Sequence, residues 1–315
     1  MKSFLKKKSC PIGIDVSDTS VRLVQVDNTG PVIRLNAGGS RNCPVDIVPG
    51  TGLWQRWAID AIKEMLSEKK FQGRQVVAAI PATDVFIDHM KMPKNLKGSL
   101  EQTVLPKLQS KLSFDAGQAV IKCVSSEDSN VIALVADRQK IDRYLAVYER
   151  AGLQIKSLAV WPLALINSYT NFFGRREADH NSVVELIDIQ PDCTNVVICR
   201  HSQLMYARSI NIGSKRLESE QSKEATNRLL VELNNNRKGF ASMYKDNDIE
   251  RLIFVSGQAA DRDVCVSLAK QLKIPAQMGD CLKATEISGL NGSGIDRRSN
   301  RLNWATAFGL SLSTN

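Results

Sequence analysis

No run in the 315-residue chain approaches the ~18 apolar residues of a membrane-spanning helix. The basic start, Met1 to Lys8, is followed by no apolar stretch, so it does not read as a secretory signal, and a cytoplasmic location is expected. The seven cysteines include no Cys-x-x-Cys pair and none has a histidine at metal-ligand spacing, which removes the usual zinc and dithiol motifs. An odd, scattered set suits a reducing compartment, and Cys193 and Cys199 fall in apolar strands where a thiol acts as a small hydrophobe. The three histidines, His89, His180 and His201, lie near no nucleophile motif, and each reads as a surface or loop residue. Aromatic residues make up 6% of the chain and few lie among the lysines and arginines. The formal charge of +9 therefore favours an acidic partner or an anionic membrane face over nucleic acid.

What the chain does have is a repeated unit. Gly13 to Val26 reads as a strand ending at Asp15, a polar turn of Ser17, Asp18, Thr19 and Ser20, and a returning strand. Val183 to Cys199 repeats it, with Asp188, then Gln190, Asp192 and Thr194, then a β-branched strand. A strand–acid–turn–hydroxyl–strand unit is either an ordinary surface hairpin or a device that brings backbone N–H groups and a carboxylate to a phosphate. Two of them suggest two like halves facing across a cleft. A third strand, Leu252 to Val255, runs into the small-residue turn Ser256-Gly257.

Hydrophobic content of 43% and charged content of 24% are those of a globular protein, and the length suits two lobes. Short strands are expected at Val32 to Leu35 and Asp46 to Val48, separated by Gly38-Gly39. Trp54, Trp57, Ala58, Ala61, Ile62, Met65 and Leu66 repeat at helical spacing, with the tryptophans as core, and the helix stops near Gly73. Val76 to Ile80 suits a central strand. Pro81 to Ser157 reads as a separable strand–helix–strand–strand–helix layer, with Pro106 inside its first helix. Phe173 to Asn181 is a polar linker. Ser219 to Tyr244 is expected as one long helix with Ala225, Leu229, Leu233, Phe240 and Tyr244 inside. Leu290 to Arg301 reads as a loop.

These residues carry a resemblance. Gly13 to Val24 resembles the first phosphate hairpin of the actin, sugar-kinase and heat-shock ATPase fold, and within it the type IV pilus assembly PilM family, related to the cell-division protein FtsA. Ile80-Pro81-Ala82-Thr83-Asp84-Val85 with Met92-Pro93, and Val135-Ala136 through Tyr144 to Ala151-Gly152-Leu153, resemble family segments in order. So do Asp188-Ile189-Gln190, Arg208 to Gly213, Val255-Ser256-Gly257-Gln258 and Ala307 to Leu312. The resemblance implies an α/β, actin-like, duplicated RNase H-like fold of two lobes with an inserted 1C-type α+β subdomain. Its units would be 1–80, the insert 81–157, a return and hinge over 158–180, and a second lobe over 181–315. It implies a scaffold binding the N-terminal tail of a PilN-like bitopic inner-membrane protein in a groove around Met90 to Leu112, with a secretion ATPase as a further partner. The basic start would lie against anionic lipid at the cytoplasmic face, or else stay solvated.

The chain departs from the family at the nucleotide contacts. Ser17 and Gln190 replace the glycines that let a backbone approach a phosphate. Asp18 and Asp192 add carboxylates, each costing on the order of 1–4 kcal/mol about 4 Å from a phosphate charge, against ~8 kcal/mol for micromolar binding. Gln258 replaces a second glycine beside Ser256 and Gly257, and Asn235 stands where the family has an arginine after Glu232. The resemblance thus implies a degenerate nucleotide site of Asp15, Ser17, Asp18, Thr19, Ser20, Asp188, Gln190, Asp192, Thr194, Glu232, Asn235, Ser256, Gly257 and Gln258. No cofactor is then expected; ATP with Mg²⁺ on Asp15 and Asp188 is the competing expectation. A nucleotide-switched actin-family ATPase and a GspL-like secretion assembly protein stand as alternatives, while a sugar kinase would need the glycine that Gln190 replaces.

Overall fold

A computed structural model describes residues 10–68, 71–93, 98–287, 295 and 302–313, and of Gln258 the backbone only. The basic start and nearly all of the Leu290–Arg301 loop expected from sequence lie outside these residues. The chain builds its first sheet from β1 (Ile12–Val16), β2 (Ser20–Asp27), β3 (Arg34–Asn42), β4 (Gln75–Ile80) and β8 (Gln154–Val160), with β14 (Glu286–Ile287) added at the edge. The second uses β9 (Val183–Ile189), β10 (Thr194–Arg200), β11 (Gln203–Ile210), β12 (Arg251–Phe254) and β13 (Ala276–Met278). Both follow one plan. The first strand pairs antiparallel with its hairpin partner and parallel with a strand reached by a crossover. The hairpin partner pairs antiparallel with the third strand, and the crossover strand pairs parallel with the fifth. The two hairpins therefore leave equivalent positions on their sheets, as the internal repeat requires.

Helices cover these sheets because their apolar stripes match the strand pleat. Trp54 and Ile62 of α1 (Gly52–Glu68) and Tyr144 and Tyr148 of α3 (Arg138–Arg150) pack on Ile12 and Ile14. Leu229 and Leu233 of α6 (Ser222–Met243) join Leu268 of α7 (Arg262–Leu272) over Ile187 and Phe254. A single-turn α5 (Ser214–Leu217) precedes α6. Between the sheets lies α4 (Trp161–Phe172), whose Trp161, Leu165 and Tyr169 share one core with Val184 and Leu186.

Across α4 runs α8 (Ala305–Ser311), at very short range. A Cβ on Gly309 would stand 1.8 Å from the Ala164 carbonyl oxygen, and one on Gly13 would stand 2.1 Å from that of Ala307. The Ser168 hydroxyl donates to the Ala305 carbonyl at 2.6 Å, and Ser311 to that of Pro11 at 2.8 Å. Two glycines thus seat the last helix between α4 and β1.

The third sheet has order β5-β7-β6, from Phe86–Lys91, Asn130–Asp137 and Ala119–Ser125. On β7 the alternation points Val131, Ala133 and Val135 at Val104 and Leu108 of α2 (Leu100–Leu108). Ile132 and Leu134 face the opposite way, into the central core shared with the second sheet. The sequence boundary at 157 falls inside β8, which pairs with β4, and α3 packs on α1, so these late elements of the 81–157 stretch build on the first sheet.

Some local expectations are corrected. Gly38-Gly39 does not separate two strands; β3 runs through it because the glycines leave room for Met65 of α1 over Gly39. Asp46 to Val48 is a turn within the Cys43–Thr51 loop, closed by the Ile47 amide on the Pro44 carbonyl at 3.1 Å. His89 is a strand residue: its ring stacks on Tyr206 at 4.1 Å, and its Nε2 accepts the Ala207 amide at 3.2 Å. Burial lowers its pKa to about 4, consistent with a neutral acceptor. His180 and His201, distant in sequence, lie ring against ring at 4.1 Å.

Gly309→Ala should destabilise the protein by about 3 kcal/mol, the upper end of the overpacking range, because the obstacle is backbone; a urea titration measures it. Fully buried Glu185 faces Arg237, which donates through Nε at 2.8 Å. Arg237→Met strands that carboxylate and is expected to cost about 3–5 kcal/mol, most of it recovered in the Glu185→Gln/Arg237→Met double variant.

Candidate functional site

The two hairpin turns face each other across the cleft, and at both of them several polar groups are paired within the chain itself. At the first turn, Ser17 Oγ accepts the amides of Ser20 and Thr19 at 3.1 and 3.4 Å. Asp15 at the end of β1 accepts Arg22 Nη1 from β2 at 3.0 Å, the two lying opposite in the antiparallel register. Arg22 is 3% exposed, so the pair is largely desolvated. Burial pushes the Asp15 carboxyl up from its ordinary value, and the Arg22 charge opposes that shift.

At the second turn, Gln190 bends its side chain back and donates to Asp188 Oδ2 at 2.9 Å. Asn195 on β10 donates to the same oxygen at 3.1 Å. Asn303, just before α8, donates to Oδ1 and accepts the Ala305 amide at 3.1 Å. Three side-chain amides from three parts of the chain surround one fully buried carboxylate. Burial raises the Asp188 pKa, and these donors pull against it. The turn rests on Gly213, where a Cβ would meet the Pro191 carbonyl at 2.4 Å. Thr194 is buried and spends its hydroxyl on the Ile212 carbonyl at 2.7 Å. Asp192 pairs with Lys215 at 2.8 Å on the surface.

Between the turns remains a cavity of about 60 Å³, lined in part by Asp15, Ser17, Asp18, Thr19 and Asp192. At ~30 Å³ per water that is room for about two waters. Asp18 and Thr19 also border a larger slot of about 580 Å³, walled by Pro44, Val45 and Ile47 on one side and Pro191 and Leu302 on the other.

Of the sequence-predicted residues, the structure brings Asp15, Ser17, Asp18, Thr19, Ser20, Gln190 and Asp192 to these two cavities. Asp188 and Thr194 stand directly behind them. Ser256 supports the second turn, its Oγ accepting the Ile189 amide at 2.6 Å. Gly257 sits at φ +61°, and Gln258 follows in the same short helical turn. Glu232 and Asn235 do not join the site: Asn235 is exposed on α6, beside Val231 and Lys238, and neither residue borders either cleft cavity. Arg22, Asn195, Asn303 and Trp161 were missed. Only Arg22 had a local signal, as the charge opposite Asp15 in a two-residue alternation.

Asp18 is half-buried and has no ion-pair partner among the described residues. Burial raises its pKa, the charges of Asp84 and Asp192 raise it further, and those of Lys140 and Lys215 oppose the shift. A folded-state pKa above the unfolded value means stability that is present below the ordinary carboxyl pKa and lost as pH rises through the folded one. Asp18→Asn should therefore raise the urea midpoint at pH 7. The gain should vanish below about pH 4, where both states of the parent are protonated.

The chain matches the family described as Type IV pilus assembly protein PilM over residues 13–227. Among solved structures, a PilM–PilN type IV pilus biogenesis complex superposes with a TM-score of 0.76 at 18% identity, covering 96% of this chain and 97% of that one. The cytoplasmic domain of EpsL, an inner membrane component of the type II secretion system of Vibrio cholerae, gives 0.53 at 12% identity, covering 96% and 95%. A Bacteroides thetaiotaomicron protein with an actin-like ATPase fold gives 0.50 at 14%, covering 91% and 96%. At these identities the structural likeness is one of fold, and the fold is actin-like. The family match spans well over half the sequence, and the chain belongs to the type IV pilus assembly protein PilM family.

Proposed function

We propose that this chain is a scaffold of a type IV pilus or related inner-membrane assembly machine, one that holds the N-terminal tail of a PilN-like membrane protein and has lost most of its grip on ATP. The observation that carries the second half is the self-occupation of both turns. Ser17 takes the amides, Arg22 takes Asp15, and three side-chain amides take Asp188. A triphosphate has to displace these contacts and enter beside Asp18 and Asp192. Repulsion on the order of 1–4 kcal/mol per carboxylate removes much of a micromolar affinity.

The first half rests on family membership and on the solved PilM–PilN complex. A tail recognised in extended form needs an edge or groove with side-chain pockets. The stretch around Met90 to Leu112, on the small sheet and α2, is where this reading puts it, since Met90, Leu100 and Leu112 are half-buried apolar side chains at the margin of that core. Contact with a secretion ATPase, and peripheral docking at an anionic cytoplasmic face helped by the +9 charge, belong to the same proposal. Among the described residues no helix is long and apolar enough to cross a membrane. A second reading, ATP held with Mg²⁺ as a conformational switch, draws on the 580 Å³ slot, which is of nucleotide size, and on the retained Asp15 and Asp188.

Calorimetry separates the two. A synthetic N-terminal peptide of the PilN-like protein should give saturable heat, whereas Mg-ATP up to about 1 mM should give none. Saturable Mg-ATP heat that disappears in Asp15→Ala would establish the switch instead. A flat peptide titration removes the scaffold reading.

A further inference from the structure

The turn between β10 and β11 is where three parts of the chain meet. Arg200, at the end of β10, pairs with Glu127 in the β6–β7 turn of the 81–157 insert and also donates to Asn247 beyond α6. The two partners of the ion pair are only 26% and 31% exposed, so water and salt screen it in part. The next residue, His201, lies ring to ring at 4.1 Å against His180 of the linker between the lobes. That linker holds on to both lobes. Arg175 donates to the Pro31 carbonyl of the first at 3.1 Å, and Asp179 accepts Arg251 of the second at 2.6 Å. The insert does the same: Tyr144 and Tyr148 of α3 pack on the first sheet, while Asn130 donates to the Met243 carbonyl at the end of α6 at 3.3 Å.

The backbone marks the same place independently. Among the described residues four non-glycine residues have positive φ, and three of them are here: Asp128 at 54° and Ser129 at 64° in the insert turn, and His201 at 47°. The fourth, Lys273, caps the end of α7. Left-handed backbone is uncommon in residues with a Cβ, and it persists where the surroundings hold it, chiefly at clamps and switch regions. From this geometry we infer that the β10–β11 turn is a clasp, tying the insert to the interlobe linker and so holding the two lobes at one angle. The insert is the strut, fixed to the first lobe by α3 and to the second by the Arg200–Glu127 pair. His201 passes the position of that strut to the linker through His180. Breaking the pair loosens the turn, unseats the two rings and lets the lobes turn about the linker, as hinged domains do. The clasp needs nothing bound to the insert or in the cleft, and so stands apart from the scaffold reading.

Hydrogen–deuterium exchange of the full chain, read by mass spectrometry, tests the clasp. Glu127→Gln, on the insert, should speed exchange of the linker amides over 173–181 by at least about threefold. Arg200→Gln should do the same, and the double variant should add little, because either change opens one and the same contact. Lys111→Gln, which breaks the Lys111–Asp88 pair elsewhere on the insert, should leave the linker at the parent rate. Coupling is reciprocal, so His180→Ala, at an exposed position of the linker, should speed exchange of the insert turn over 126–130. That arm decides the matter if Glu127→Gln raises exchange throughout the chain by unfolding it. A linker at the parent rate in Glu127→Gln, an equal acceleration in Lys111→Gln, additive effects in the double variant, or an insert turn indifferent to His180→Ala would each overturn the clasp.

Discussion

Everything at the cleft depends on the close crossing of α8 over α4. Gly309 lets the two backbones meet, and the Ser168–Ala305 hydrogen bond fixes the register of the crossing. That register places Asn303, immediately upstream, within reach of Asp188 on the second sheet, and Thr306 on the wall of the small cavity. One steric permission thus carries a residue of the final segment to the carboxylate at the centre of the second hairpin. Asp188 could not be buried without such donors. A lone carboxylate in that position would protonate or draw water.

The two hairpins carry one plan in both lobes. The strands, their acids and the register are intact, and only the tips differ. At each tip a side chain turns onto the chain's own polar groups. Ser17 satisfies amides that an open clamp leaves for its ligand, and Gln190 satisfies the carboxylate behind it. These polar groups of the two turns are therefore paired within the chain itself, which holds them in place. The small sheet adds to the rigidity by burying Ile132 and Leu134 in the core shared by both lobes.

Much of the fold was legible because it is written locally. The repeat of strand, acid, turn and strand needs only a dozen residues to read. The helical stripe beginning at Trp54 and the β-branched run from Val76 announce themselves by spacing. The site was half legible for the same reason: the turns are contiguous in sequence. What escaped is what the chain assembles at long range. Asn303 meets Asp188 across 115 positions, and Trp161 comes to the cavity from a helix between the sheets. Gly38-Gly39 looked like punctuation because its purpose, admitting Met65, belongs to another element. Asn235 was placed by motif counting along α6, where position on the helix face decided otherwise.

The seating of Ser311 against Pro11 and the Val26 amide joins the two ends of the described chain, some three hundred residues apart. During synthesis at about 5–20 residues per second, the strand that leaves the ribosome first must wait tens of seconds for the helix that covers it. Until then one face of the opening sheet, with its glycine-floored seat, stays uncovered. A chain lacking α8 therefore leaves β1 without the helix that Gly13 admits against it.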